Sequence, residues 1–167
     1  MANQEHVEFL KRGVNAWNKW RQENPSIRPD LSSVDFYSVH VHYITGESIS
    51  DFSGADFKNT NFQGAALRWV PFRKADFVGA NFDDADLTEA NFQGANLCGI
   101  DLTKAKSIYG LILAEANLSE VKLSSLDLSE TFLAGAILKK AQLSRAKYRH
   151  LNLQNADFTE AELYDVD

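Results

Sequence analysis

Residues 75–97 read ADFVGANFDDADLTEANFQGANL, and an apolar residue returns there at every fifth position, at Phe77, Phe82, Leu87, Phe92 and Leu97. Each is preceded by alanine two places earlier. A period of five fits neither a helix, at about 3.6, nor a flat strand, at about two. It fits a chain that turns a corner every five residues, a solenoid without a catalytic cleft. Working outward from this stretch, the inward position runs from Phe52 to Leu102, slips by one residue near 103–107, and resumes from Ile108 to Leu163. Twenty-three units share the pattern.

Two residues apart on an extended segment means the same side. Each unit therefore sends one large and one small side chain inward and three outward. Asp or Asn usually stands between the inward pair, and these residue types stabilise tight turns, so that slot is read as the turn position. Ten of the 23 acidic residues occupy it (Asp30, Asp35, Asp51, Asp56, Asp76, Asp86, Asp101, Asp127, Asp157 and Glu162), and repeat chemistry accounts for them without a function.

The tandem motif Ala-(Asp/Asn)-(Leu/Phe)-x-x closely resembles the pentapeptide-repeat proteins, over about residues 30–167. The resemblance implies an all-β solenoid, a right-handed quadrilateral β-helix of twenty residues per coil. Residues twenty apart then stack, so Phe52, Phe72 and Phe92 form one inner ladder and Phe57, Phe77 and Leu97 the next. An N-terminal helix ahead of the repeats is similar to many cyanobacterial members. Some members of the family bind DNA gyrase with an acidic rod that imitates a duplex, and members often dimerise through the C-terminal end.

Two regions are expected. Residues 1–29 form an N-terminal amphipathic helix over 4–23 that caps the solenoid, with Val7, Leu10, Val14, Trp17 and Trp20 on its apolar face and only Arg21 out of place. Trp17 and Trp20 are expected over the first coil. Residues 30–167 form the repeats, with a loop near 43–50 and the slip near 103–107. At the acidic C-terminal end, either charge alone discourages edge pairing or a second subunit covers the last coil.

No catalytic constellation emerges. His40 and His42 read as surface histidines rather than metal ligands, Cys98 as an outward free thiol, and Asp83, Asp84 and Asp86 lack the convergence of a cation cage. No cofactor fingerprint occurs. The net charge of −6 and one cysteine argue against nucleic acid as a partner and against an intrachain disulfide. No apolar run is long enough for a membrane span, and a cytoplasmic, non-enzymatic protein is the expectation.

The surface holds two anomalies. Ile112 and Phe132 are twenty residues apart, with Ile137 just round the corner, an apolar patch suited to another protein or to a homodimer. Arg68, Trp69, Arg73 and Lys74 flank Pro71 and are expected to crowd one corner as a second partner-binding candidate. The competing reading is a DNA-mimic inhibitor or protector of a type II topoisomerase (gyrase). It requires a continuous acidic face, and the basic band Lys139, Lys140, Arg145, Lys147, Arg149 and His150 interrupts one.

Overall fold

Two short helices precede a stack of coils in the computed structural model, which describes residues 1–36, 51–149 and 151–165. The expected loop at 43–50, the pair His40 and His42, and His150 lie outside the described residues.

The five-residue unit is a β-turn. The Ala80 N–H donates to the Phe77 carbonyl at 2.8 Å, and the third residue of that turn, Gly79, has φ +74°. A positive φ there is the mark of a type II turn. A Cβ on Gly79 would sit 2.4 Å from Asn59 Oδ1 in the coil below, so glycine serves both conformation and stacking at this corner. The corner therefore falls two residues after the inward side chain. This corrects the placement of Asp and Asn. They stand on the flat side, where their side chains accept the N–H two residues on, as Asp76 does from Val78 at 3.1 Å and Asn91 from Gln93 at 3.0 Å.

Coils are joined by backbone bonds about one coil apart. The Phe57 N–H donates to the Asp76 carbonyl at 2.8 Å, and the Asp76 N–H donates to the Ala55 carbonyl at 3.0 Å. The parallel bridges Pro71↔Asn91, Asp56↔Asp76, Asn61↔Asn81 and Ala66↔Asp86 define four sides. We call them a to d, carrying Phe72, Phe77, Phe82 and Leu87 inward. Among the described residues each side is a single bridge rather than a multi-residue strand. A corner every five residues leaves no room for a longer one.

Inside, the Phe columns stack. Ring centroids are 5.3 Å apart for Phe57 and Phe77, 5.2 Å for Phe62 and Phe82, and 5.2 Å for Phe72 and Phe92. Neighbouring columns meet edge to face, as Phe72 and Phe77 do at 5.3 Å. Both arrangements suit the ring quadrupole. Higher coils continue with Leu97, Leu113 and Leu118, all fully buried.

The slip is one extra residue. Bridged partners are 21 apart from Asp86↔Ser107 to Asp101↔Lys122, and twenty apart again at Ile112↔Phe132. Lys106 donates its N–H to the Ala85 carbonyl while Ser107 accepts from Leu87, so two residues oppose one, as in a β-bulge.

The expected single helix over 4–23 is two, α1 (Gln4–Lys11) and α2 (Val14–Glu23). Gly13, at φ +87°, ends the first and opens the second, a conformation that costs other residues energy. Asn3 caps α1 by accepting from the N–H groups of Glu5 and His6. Trp17 reaches the coils, with its ring 5.4 Å from that of Phe57 and its indole N–H donated to the Asp56 carbonyl at 2.8 Å. Trp20 instead lies against Trp17, His6 and Phe9. Val7 and Leu10 are buried and Val14 is half-buried. Arg21 is not out of place. It is 3% exposed and donates to the carbonyls of Ile27 and Lys58, tying α2 to the chain on both sides. At the other end Tyr148, Leu153 and Phe158 are half-buried, and Leu163 is 45% exposed.

Phe77 contacts rings of its own coil and of both adjacent coils, so Phe77→Ala should cost about 3–5 kcal/mol, against about 1 kcal/mol or less for a surface change such as Thr103→Ala. Chemical denaturation followed by circular dichroism measures both.

Candidate functional site

Side a turns apolar in its upper coils. Ile112 and Phe132 pair across a parallel bridge, and Phe132 is 55% exposed. Ala114 and Ala134 flank the same side, half-buried. The next corner is Gly135, which puts no side chain between Phe132 and Ile137 on side b, 39% exposed. Ile112 and Phe132 thus stack on side a, and Ile137 stands on the adjacent side across a glycine corner against which the Glu115 side chain packs from the coil below.

The second candidate is taken apart. Trp69 and Lys74 occupy the same slot of successive units, with φ +62° and +57°, so they stand at different corners rather than one. The five-residue step dictates this. Trp69 is 57% exposed, Arg73 lies on side a, and Lys74 stands at the corner that ends that side. Arg68 is engaged across coils on side d. Its Nε donates to Asp86 at 2.7 Å, and Thr88 Oγ1 donates to the same carboxylate, also at 2.7 Å. Burial pushes the Asp86 carboxyl up, but the bonds from Arg68 and Thr88 and the Arg68 charge outweigh it and hold the group below its ordinary value.

Charges are matched from coil to coil. Lys58 pairs with Asp76 at 3.1 Å, Lys122 with Asp101 at 3.6 Å, Lys139 with Asp157 at 3.3 Å and Lys140 with Glu160 at 3.8 Å. Lys104 reaches Asp83 at 3.9 Å, beside Asp84 and Asp86. Exposed pairs of this kind contribute only about 0–1 kcal/mol each, but they break up any single-sign face.

Chemistry is sparse elsewhere. Cys98 is half-buried rather than fully outward, between Val78 and Ser119 on side b. No cluster of His, Cys, Asp and Glu able to hold a metal occurs among the described residues. His6 Nδ1 accepts the Asp30 N–H at 2.9 Å and binds α1 to the repeats. Burial pushes the Tyr148 phenol up to about 12. No helix among the described residues is long and apolar enough to cross a membrane. Sequence reading passed over Tyr109, 59% exposed on side d. Its slot, one after the inward Ile108, would have revealed it.

A repeat of five residues, turning in left-handed corners and stacking every twenty, is the defining geometry of one class of solenoid. The chain belongs to the pentapeptide-repeat family, whose pattern matches eight copies over residues 50–70, 67–103, 116–147 and 136–167. Curated protein sequences yield no significant match. Among solved structures it is similar to HetL, a pentapeptide repeat protein involved in heterocyst differentiation regulation in the cyanobacterium Nostoc, at 20% identity over 93% of this chain and 94% of that one, with a TM-score of 0.31. It is also similar to full-length QnrB1, a plasmid-mediated fluoroquinolone resistance protein, at 18% identity over 84% of this chain and 79% of that one, with a TM-score of 0.36. A third is a pentapeptide repeat protein from the thylakoid lumen of Arabidopsis thaliana, at 29% identity over 77% of this chain and 79% of that one, with a TM-score of 0.25.

Because the folded Asp86 carboxyl is held low, its contribution is present at neutral pH and is lost as the pH falls below about 3.9, the free aspartate value, through the lower folded one. Asp86→Asn should therefore be less stable than wild type at pH 7, with the gap constant to about pH 4 and shrinking below it. Denaturation midpoints of both proteins across that range test the sign.

Proposed function

We propose that this chain is a non-catalytic interaction module, a right-handed quadrilateral β-helix that presents its flat sides to another protein. The observation that carries the reading is the stacked pair Ile112 and Phe132 on side a, with Ile137 on the adjacent side across the glycine corner at Gly135. Isolated exposed apolar residues are ordinary, but a stacked pair on a rigid surface resembles a docking site. Flat sides with regular rows of side chains suit docking better than catalysis. Trp69, Arg73 and Lys74 form a lesser, divided surface on the same protein, and Arg68 serves the fold.

The helices of residues 1–29 act as the cover of the first coil of the repeat region, 30–167, as Trp17 and Arg21 support. That helical start also supports a cyanobacterial type of member. One half-buried thiol suits a reducing, cytoplasmic setting. Gyrase mimicry is opposed by the basic band from Lys139 to Arg149 and by the pairing of Asp83 with Lys104 and of Asp86 with Arg68, and no nucleic acid, membrane or cofactor enters the reading.

The test pairs wild type with Ile112→Asp/Phe132→Asp. Light scattering should give both proteins the same mass. Photocrosslinking from position 134 in cells should give one discrete adduct in wild type, reduced at least tenfold in the double variant. Equal adducts from both proteins would overturn the reading. A wild-type dimer that the substitutions make monomeric would reassign the apolar pair to self-association. Inhibition of gyrase supercoiling by both proteins would favour the DNA mimic.

A further inference from the structure

On side d, one coil has lost its ladder to the next. Leu67 donates to Asp86, Leu87 to Ser107 and Leu128 to Lys147, each at 2.8–2.9 Å. Between Ser107–Gly110 and Asp127–Ser129, no backbone bond or bridge exists among the described residues. Among the described residues the N–H groups of Ile108 and Gly110 donate to nothing, and the carbonyls of Asp127 and Ser129 accept nothing.

Two features of the backbone open this gap. Lys106 is the extra residue of the bulge. Lys104 and Glu130 are the corner residues on either side, and among the described corners they alone lack a positive φ. A type II turn without its positive φ has its middle peptide turned over, which removes the Ser129 carbonyl from Gly110. Leu126 then fills the small inward slot that Ala65, Ala85 and Ala146 fill on the same side, and it is only half-buried. The outcome is a cavity of about 410 Å³ floored by Ile108 and Leu126, with Tyr109 at its rim.

We propose that this crevice binds an extended peptide segment through its main chain. The gap leaves the N–H groups of Ile108 and Gly110 on the lower coil and the Asp127 carbonyl on the upper one without backbone partners among the described residues, and a peptide group, which carries both an acceptor and a donor, is the neutral unit that satisfies such a set. Charge favours the same occupant. Lys106 stands on the lower lip and Asp127 and Glu130 on the upper, with none of the three in an ion pair among the described residues, so a dipolar neutral group suits the site better than an ion. Sides c and a stay closed beside it, with Leu102 bonded to Lys122 and Leu113 to Phe132, so the wedge opens only to solvent and the segment lies along its mouth. The site is separate from the apolar pair and does not depend on it.

Amide NMR of the full chain, titrated to millimolar N-acetyl-Ala-Val-Ala-amide, tests this. Wild type should show saturable shifts confined to residues 104–110 and 126–131. Deletion of Lys106, which returns the coil to twenty residues, should abolish them. Ser129→Tyr should do the same by filling the mouth, in a column that already carries Arg68, Tyr109 and Arg149, and it decides the matter if the deletion does not fold. Absence of saturable shifts in wild type would mean that water alone occupies the crevice. Equal shifts in Ser129→Tyr, or equal shifts with sodium acetate, would overturn the proposal.

Discussion

Everything in this molecule hangs on one hydrogen bond, repeated. It runs from the N–H of an inward residue to the carbonyl of the residue before its counterpart one coil above, as from Phe77 to Asn96 at 2.8 Å. Because each coil supplies the partners for the next, backbone groups inside the stack are satisfied without long strands. The bond also fixes what stacks on what. Phe rings overlap, Asn81 donates to Asn61, and lysines reach carboxylates one coil away, all because twenty residues close a turn.

The same bond explains the tolerance and the limits of the surface. Outward side chains bear little on the ladder, so sides can vary from polar to apolar, as side a does on passing from Asn91 to Ile112 and Phe132. Corners are less free. Most require a left-handed residue, which glycine accepts readily and others adopt at some cost. Where Lys104 and Glu130 decline that conformation, a stretch of ladder fails beside them.

Much of this was legible in the residues. The period of five placed the inward side chains from Phe52 to Leu143 and the stacking of Phe52, Phe72 and Phe92, because burial at a fixed slot leaves a periodic trace. Beyond Leu143 the same slot is only half-buried at Tyr148, Leu153 and Phe158 and is exposed at Leu163. The slip was visible as a changed count, but its consequence was not. Whether one extra residue makes a loop, a bulge or an open rung depends on which peptides turn over, and no side chain announces that. The break at Gly13 escaped because an amphipathic wheel averages over a single glycine. Arg21 looked misplaced because periodicity scores polarity and cannot see two carbonyls waiting for a guanidinium. The crowded corner at 68–74 was a misreading of the repeat itself, since residues five apart must stand at successive corners.

Residue-resolved hydrogen–deuterium exchange tests the ladder most directly. The account requires strong protection at the N–H groups of Phe57, Phe77, Leu87, Leu97 and Leu118, and exchange at Ile108 and Gly110 faster by at least two orders of magnitude. Uniformly weak protection along the inward residues would contradict the stacked coil, and an Ile108 as protected as Leu87 would contradict the open rung.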